Sequence, residues 1–433
     1  MKITFWGATE DVTGSMTFVH LPEGLIAIDC GMAQGSRDTQ KLNELKPIFP
    51  TTDIKAVILT HAHLDHSGLL PRLVKEGFRG PIYCTLPTSR LAQVILRDSA
   101  SLNKDDFYDD EDVTRTLHLM KTVDWHQSVS LLGGSFKLLP AGHILGAASV
   151  KINSEDKSVV FSGDLGRTND PLIPAPEPCP NVDAVIMEST YGNRVRTGNA
   201  EKELFSFLME LSRGARVGII ASFAVARAQL LITLIHEFFE RHPEEKIRVV
   251  MDSPMMVEAN KVYKNYSRLT KSPEELRDSI EDFEVIAFDR QWRSLSKKEG
   301  PLLIISSSGM LTGGRIKRHL RNWQDDERAI LFLPGYQAKG TPGRHFLDGF
   351  RDIPAEEPGE ENILWKGQVL GSDAFSSHAD QNELFDWVKD VSPEAKIFLV
   401  HGETESKKGF QQLLVSRGFT GCGIPVRNET IEV

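Results

Sequence analysis

Short apolar runs alternate with longer amphipathic stretches along most of the chain. The runs at 56–60 (AVILT) and 396–400 (KIFLV) are continuous and contain β-branched residues, which is typical of strands buried on both faces. The stretch 88–102 repeats its apolar residues about every 3.6 positions, which predicts an amphipathic helix. This alternation of strands and helices predicts an α/β protein.

Turn-rich and acidic stretches divide this pattern into segments. Further strands are predicted at 2–6, 25–29, 135–139, 148–152, 158–162, 184–188, 217–221, 248–251, 302–306 and 329–332, and further helices at 201–213 and 226–241. Residues 193–200 (NRVRTGNA) are polar and rich in turn formers, and residues 353–362 (IPAEEPGEEN) are acidic and contain proline. A chain of 433 residues is long enough for about two or three domains, so both stretches are candidate linkers.

Composition narrows the class of protein. With 40% hydrophobic and 25% charged residues, the chain has the make-up of a globular protein rather than a disordered one. Its longest nearly apolar run, 217–226, is too short to span a membrane, and the amino terminus lacks the apolar core of a signal peptide. The four cysteines contain no CxxC pair, which favours a cytoplasmic protein over a disulfide framework. The net charge of −10 does not exclude nucleic acid, because screening over about 10 Å at 0.1 M salt permits a local basic groove.

Three histidines and an aspartate occur within six residues, directly after the predicted strand 56–60. Residues 61–66 read HAHLDH, which supplies His61, His63, Asp65 and His66. Imidazole and carboxylate are the ligand types that zinc prefers where thiolates are absent. At a strand end, two histidines and an Asp-His pair can diverge towards two metal positions; the alternative interpretation is an exposed histidine-rich turn. The pattern favours a metal site.

Two further turns contribute candidate ligands. His143 follows Gly142 in the glycine-rich stretch AGHILGAAS, and Asp164 lies in SGDLG after the strand 158–162. Each residue alone is more often a cap or a loop hydrogen-bonding group. Together with residues 61–66 they indicate a centre in which a carboxylate bridges two cations.

Through HxHxDH, His143 and Asp164, the sequence resembles the metallo-β-lactamase superfamily. Within it, the chain is similar to the β-CASP nucleases, the branch that includes RNase J and the nuclease subunit of the pre-mRNA cleavage and polyadenylation factor. The further motifs that carry this resemblance are MESTYG with Glu188, FSSHAD with His378, LVHGE with His401, and the loops 222–229, 251–255 and 307–315.

The resemblance implies a four-layer αβ/βα metallo-β-lactamase fold with an inserted α/β β-CASP domain. Residues 1–195 and 360–433 would form the two parts of the metallo-β-lactamase domain, and residues 196–359 the insertion. The resemblance also implies two zinc ions per chain. One zinc would be bound by His61, His63 and His143, the other by Asp65, His66 and His401, with Asp164 bridging them.

The residue types and the resemblance together point to phosphodiester hydrolysis. Two zinc ions about 3.5–4 Å apart can activate a water molecule and stabilise charge on a phosphate. His378 is the candidate general acid for the leaving oxygen. The resemblance places Glu188 beside His378, where a carboxylate would hold the imidazole protonated. Asp65 is counted among the catalytic residues as well as among the ligands.

Substrate contacts are predicted in the loop that follows the predicted strand 302–306 and in the segment that flanks His378. The candidates are Ser307, Gly309, Arg315, Ser376 and Ser377. Backbone N–H groups and a guanidinium in the first of these loops could hold a phosphate. The basic stretch 315–321 (RIKRHLR) is also the kind of charge run found on a solvated helix face. His401 resembles the RNA-acting β-CASP members, so single-stranded RNA is the predicted substrate.

Several alternatives stay open. A DNA nuclease of the same fold would usually carry an apolar residue in place of His401. Lactamase or thioester hydrolysis would leave Glu188, His378 and the insertion without a role. A non-catalytic scaffold subunit of an RNA-processing complex would show gaps in the ligand set. The sequence fits both endonuclease and exonuclease modes of cleavage. A homodimer is expected only from the resemblance. The chain is expected to be a minimal catalytic core, with no KH-type module before it and no extension after it.

Overall fold

The continuous apolar runs of the sequence form buried strands in a computed structural model of the protein. The structure describes residues 1–35, 37–102, 107–214, 217–286, 301–355, 359 and 361–433. These residues form two compact units, one made of Met1–Val195 with Ser377–Val433 and one made of Arg196–Ser376. Within the described ranges, none of the helices is long and apolar enough to cross a membrane.

Strands and helices alternate along both units, which confirms the α/β class. In chain order, the strands are β1 (Lys2–Phe5), β2 (Thr17–Leu21), β3 (Gly24–Ile28), β4 (Ile54–Ile58), β5 (Ile82–Cys84), β6 (Met120–Thr122), β7 (Val129–Leu131), β8 (Gly134–Pro140), β9 (Ala148–Ser154), β10 (Lys157–Phe161), β11 (Ala184–Glu188), β12 (Val217–Ala221), β13 (Arg248–Asp252), β14 (Glu284–Val285), β15 (Leu302–Ser306), β16 (Ala329–Pro334), β17 (Asp352–Ile353), β18 (Ile363–Leu364), β19 (Gln368–Ser372), β20 (Lys396–Val400), β21 (Gly421–Gly423) and β22 (Thr430–Glu432).

The helices fall between these strands. They are α1 (Arg37–Gln40), α2 (Leu64–Ser67), α3 (Leu70–Lys75), α4 (Leu86–Leu102), α5 (Asp110–Leu119), α6 (Ala200–Arg213), α7 (Arg227–Arg241), α8 (Pro254–Asn265), α9 (Pro273–Asp282), α10 (Ile316–Trp323), α11 (Pro342–Leu347), α12 (Gln381–Val388) and α13 (Thr404–Ser416). Short 3-10 turns occur at Lys41–Glu44 and Ser267–Leu269.

The first unit packs two mixed sheets around one apolar core. Their strand orders are β22-β1-β2-β3-β4-β5-β6 and β21-β20-β11-β10-β9-β8-β7. Phe5 and Ile58 of the first sheet and Val150 and Ile186 of the second belong to the same buried cluster. Strands β10, β11 and β20 run parallel, so their carboxyl ends lie at one edge of the sheet. Polar residues that follow these strands are thereby brought together.

The second unit is built on a sheet whose strands all run parallel, in the order β14-β13-β15-β12-β16-β19. Strand β19 pairs with β16, and the unit therefore extends to Ser376, beyond the predicted domain end at residue 359. That boundary is implied by the resemblance, and the acidic, proline-containing stretch 353–362 agrees with it as a candidate linker. Residues 356–358 and 360, which belong to that predicted linker, lie outside the described residues.

A buried ion cluster ties α10 to the end of β13 in this unit. Asp252 is fully buried and accepts hydrogen bonds from Arg315 Nη1 at 2.6 Å and from His319 Nε2 at 2.7 Å. Helix α10 also buries Ile316 and Leu320, so the basic stretch 315–321 packs one side into the core instead of forming a fully solvated helix face. Arg315, predicted as a substrate contact, has this structural ion pair, and its contact with substrate stays a prediction.

We expect Asp252→Asn to destabilise the second unit by about 3–5 kcal/mol, because it leaves a buried cation without its counter-charge. The exposed Asp278→Asn on α9 is the control and should change stability little.

Burial alone would raise the pKa of Asp252, but hydrogen bonds from His319 and Arg315 lower it below its ordinary value. The stability it contributes is therefore present above the unfolded pKa of about 3.9 and is lost as pH falls through the lower folded pKa. Denaturant unfolding of both variants between neutral pH and pH 3 measures this, and equal stability of the two variants would contradict it.

Candidate metal centre

A single turn of helix explains how the residues of HAHLDH can face two positions. His63 is the N-cap of α2, with φ −56° and ψ 151°, and Asp65 and His66 lie within that helix. Residues before the helix have an extended backbone, whereas residues within it have a helical backbone, and the two conformations point side chains in different directions. The imidazoles of His61 and His63 are therefore directed differently from the side chains of Asp65 and His66.

One set of ligand atoms is formed by three histidines and an aspartate. His61 Nε2 lies 3.1 Å from His63 Nδ1, which lies 3.2 Å from His143 Nε2. Asp164 Oδ2 lies 3.5 Å from His61 Nε2 and 3.6 Å from His143 Nε2. His143 reaches this point from a tight turn in which Gly142 has φ +68°, a conformation that favours glycine. The four side chains converge on one position.

A second set shares the same aspartate. His66 Nε2 lies 3.3 Å from His401 Nε2, and His401 Nε2 lies 3.4 Å from Asp65 Oδ2. The other carboxylate oxygen of Asp164, Oδ1, lies 3.1 Å from His66 Nε2. Each oxygen of Asp164 thus faces one set, which is the arrangement expected of a carboxylate that bridges two cations.

These two sets fit metal ions by their spacing and their donor types. Ligands about 2.0–2.1 Å from a tetrahedral zinc ion lie about 3.3–3.4 Å from one another. The separations in the first set, 3.1–3.6 Å, bracket that value. Not every contact between two imidazole nitrogens has a proton to share, so hydrogen bonding alone does not account for this spacing. Asp164 Oδ1 is buried and has no hydrogen-bond partner among the described residues. The residues of both sets could therefore hold one cation each.

The pKa values of the first set keep its imidazoles neutral, as metal ligands must be. Burial lowers the pKa of His63 to about 4 and lowers the pKa values of His61 and His143 well below the ordinary value. Burial alone would raise the pKa of Asp164, but the neighbouring His401 and His66 lower it well below its usual range. The Asp164 carboxylate is therefore ionised.

Hydrogen bonds behind the ligands fix which imidazole nitrogen faces the centre. Asp29 Oδ2 lies 2.7 Å from His66 Nδ1 and accepts a hydrogen bond from Thr60 Oγ1 at 2.9 Å. Because the Thr60 hydroxyl donates to Asp29, it accepts from His61 Nδ1, 3.1 Å away. Both imidazoles then carry their proton on Nδ1 and present Nε2 to the centre. From its place before Cys30 and Gly31, Asp29 is expected to order a loop or support a ligand rather than bind metal, whereas nothing in the sequence singles out Thr60; their contacts span 37 and 31 positions of the chain.

Thr190 does the same for His401. Its hydroxyl lies 3.2 Å from the His401 carbonyl oxygen and 3.2 Å from His401 Nδ1. A carbonyl can only accept, so the hydroxyl donates to it and accepts from Nδ1–H. Nε2 of His401 is left to face Asp65 and His66. The MESTYG motif contains Thr190, but nothing in the sequence alone assigned it this contact.

His378 and Glu188 form a pair at the rim of the centre. His378 Nδ1 lies 3.0 and 3.1 Å from the two carboxylate oxygens of Glu188, while Nε2 lies 3.9 Å from Asp164 Oδ2. Glu188 is buried and also accepts from the Leu165 N–H at 2.7 Å. Burial alone would lower the pKa of His378, but Glu188 and Asp164 raise it to about 9. The half-buried imidazole is therefore protonated at neutral pH and lies beside the Asp164 carboxylate.

Comparison with known families and proteins gives a consistent result. The chain matches the metallo-β-lactamase superfamily over residues 9–210, the β-CASP domain over 228–346, and the Zn-dependent metallo-hydrolase RNA specificity domain over 366–426. Ribonuclease TTHA0252 of Thermus thermophilus is 34% identical over 445 aligned residues, which cover 98% of this chain and 100% of that protein. This chain is a β-CASP member of the metallo-β-lactamase superfamily.

Two further relatives and one solved structure are similar to this β-CASP protein. The transcription termination factor FttA of Methanosarcina mazei is 31% identical, with 94% of this chain and 67% of that protein aligned. Integrator complex subunit 11 of Gallus gallus is 30% identical, with 100% of this chain and 74% of that protein aligned. A crystal structure of a protein of unknown function from Enterococcus faecalis V583 has the same fold, with a TM-score of 0.58, 17% identity and 99% coverage of both chains. The family predicted from the sequence is confirmed.

The candidate substrate residues of the β-CASP protein lie apart from the ligand sets in the chain. Ser307, Gly309 and Arg315 belong to the second unit, at the carboxyl end of β15 and the start of α10. Ser376 is buried and closes the second unit, whereas Ser377 begins the returning segment of the first unit next to His378. Their roles as substrate contacts stay predictions.

Proposed function

We propose that this protein is a zinc-dependent ribonuclease that hydrolyses phosphodiester bonds of single-stranded RNA. The observation that carries the proposal is the bridging geometry of Asp164. Each of its oxygens faces one imidazole-rich set, and His378 stands beside it as a proton donor. Phosphodiester cleavage requires charge neutralisation at an anionic phosphorus centre together with protonation of a leaving oxygen, and this arrangement supplies residues for both.

Three observations support RNA as the substrate. The Zn-dependent metallo-hydrolase RNA specificity domain matches residues 366–426, the segment that contains His378 and His401. The relatives named above include a ribonuclease that aligns over 98% of this chain and 100% of its own length. The resemblance supplies the third, because His401 looks like the residue that RNA-acting β-CASP members carry at this place. A cytoplasmic location and a homodimer stay predictions.

In this proposal, His61, His63, His143 and Asp164 hold one zinc ion, and Asp65, His66, His401 and Asp164 hold the other. When bound, the zinc ions would supply Lewis acidity that activates water and neutralises charge on the phosphate. The residues of the chain do the rest. Asp29, Thr60 and Thr190 orient the imidazoles, Glu188 keeps His378 protonated, and His378 Nε2 gives its proton to the leaving oxygen.

The test is cleavage of 5′-labelled and 3′-labelled single-stranded RNA beside matched single-stranded DNA. We expect RNA to be cut, a chelator to stop cleavage, and added Zn²⁺ to restore it. The proposal is contradicted if the zinc-loaded protein cuts neither polymer, and DNA cleavage alone would favour the DNA-nuclease alternative. The labelled fragments also distinguish internal cutting from trimming at one end.

A further inference from the structure

The backbone around His401 is held in a conformation that non-glycine residues rarely adopt. His401 has φ +48°, and its N–H donates a hydrogen bond of 2.8 Å to the carbonyl of Ala8, which has φ +52°. Non-glycine residues in this region persist when their surroundings hold them in place. The direction of the His401 imidazole therefore depends on what fixes the loop that contains Ala8.

A buried lysine on α13 holds that loop. Lys407 is only 2% exposed, and its Nζ donates a hydrogen bond to the carbonyl oxygen of Thr9, the residue after Ala8. Helix α13 begins three residues after His401 and is anchored on its other side, where Ser406 Oγ donates to the Ser189 carbonyl at 2.6 Å. The lysine thus connects a fixed helix to the loop that accepts the His401 N–H.

Hydrophobic packing does not account for a lysine at this position. Burying an ammonium group has a free-energy cost unless it is hydrogen-bonded, and an apolar side chain of the same length would fill the space without that cost. Lysine differs from methionine here in a donor that reaches the Thr9 carbonyl and in a charge that Glu10 and Asp11 attract. The same loop contacts the second ligand set elsewhere, because Ser15 N–H donates to the Asp65 carbonyl at 2.7 Å.

We propose that Lys407 is a positioning residue for the second metal position, the one formed by Asp65, His66 and His401. By fixing Thr9, it keeps the Ala8 carbonyl in place and so directs His401 Nε2 towards Asp65 and His66. No hydrogen bond from the described part of the loop 7–15 reaches His61, His63 or His143. Loss of Lys407 should weaken the second position selectively. The inference rests on the proposed use of two zinc ions.

The test is the zinc content of Lys407→Met, measured by mass spectrometry after equilibration with graded concentrations of a chelator. We expect one of the two zinc ions to bind about 10–100-fold less tightly than in the wild type, the range typical of a lost outer-shell partner, with the other zinc unchanged. Lys408→Met is the matched control, since Lys408 is the next residue on α13 and its side chain is 57% exposed. Lys407→Arg, which keeps a charged donor, should retain more of the second zinc than Lys407→Met.

Three outcomes overturn the inference. Unchanged affinity for both zinc ions would show that Lys407 does not position His401, and equal weakening of both would show a general effect. A Lys407→Met protein that fails to fold, judged by circular dichroism and gel filtration, would assign Lys407 to the stability of the unit. RNA cleavage by the wild type is measured in parallel. If the wild type cuts no RNA while Lys407→Met still loses one zinc selectively, the ribonuclease proposal falls and the positioning role remains.

Discussion

Asp164→Asn is expected to lower the zinc content to at most one ion per chain and to abolish RNA cleavage. The two oxygens of Asp164 face different ligand sets, 3.5 Å from His61 Nε2 and 3.1 Å from His66 Nε2. An amide has one oxygen and no charge, so it cannot bridge two cations or offset their repulsion. The loss of activity should exceed the roughly 10–100-fold that follows removal of an outer-shell partner. Zinc analysis and cleavage of labelled RNA measure both effects.

Asp183→Asn is the matched control for this change. Asp183 directly precedes β11, and its carboxylate accepts hydrogen bonds from Ser158 N–H at 2.8 Å and Ser158 Oγ at 2.9 Å. It lies at the entry of β10 and β11, whereas Asp164 follows the exit of β10 and Glu188 ends β11. This variant should keep both zinc ions and full activity. If Asp164→Asn also kept both, the bridging role would be wrong.

The buried parallel strands were the part of the fold that the sequence predicted best. The predicted strands 184–188 and 302–306 coincide with β11 and β15, because strands buried on both faces consist of continuous apolar residues. Strand β2, Thr17–Leu21, was missed because Thr17 and His20 interrupt its apolar pattern. Strand β2 lies between β1 and β3 because it pairs antiparallel with both of them. A local sequence pattern carries no information about such pairing.

Ligand types were predictable, whereas the contacts that orient them were not. His61, His63, Asp65 and His66 are adjacent in sequence, so their density alone indicated a metal site. The acceptor that fixes the tautomer of His401 is Thr190, 211 positions away. Threonine is too common in turns for its position to reveal such a contact. Sequence therefore indicates the candidate ligand groups, and the fold determines which atom of each candidate faces the shared position.

His378→Ala is expected to lower the kcat for RNA cleavage by about 10²–10⁴-fold while both zinc ions stay bound, because general acid catalysis contributes this much. His378 touches the centre only at its rim, with Nε2 3.9 Å from Asp164 Oδ2, so the ligand sets stay complete without it. Glu188→Gln should cause a smaller loss, since an amide still accepts from Nδ1–H but no longer favours the imidazolium. His118→Ala, which changes an exposed histidine on α5, is the control and should leave kcat unchanged.

A substrate that needs no general acid separates proton donation from positioning. When sulfur replaces the leaving oxygen of the scissile linkage, the leaving group departs as a thiolate with a much lower pKa than an alcohol and needs little protonation. If His378 donates the proton, His378→Ala should cleave this substrate at nearly the wild-type rate while remaining slow on the oxygen substrate. An equal loss on both substrates would show that His378 acts on binding or on the zinc centre. The proposed proton-donor role of His378 and Glu188 would then be wrong. The proposed metal ligands would be unaffected, because this pair lies outside both ligand sets.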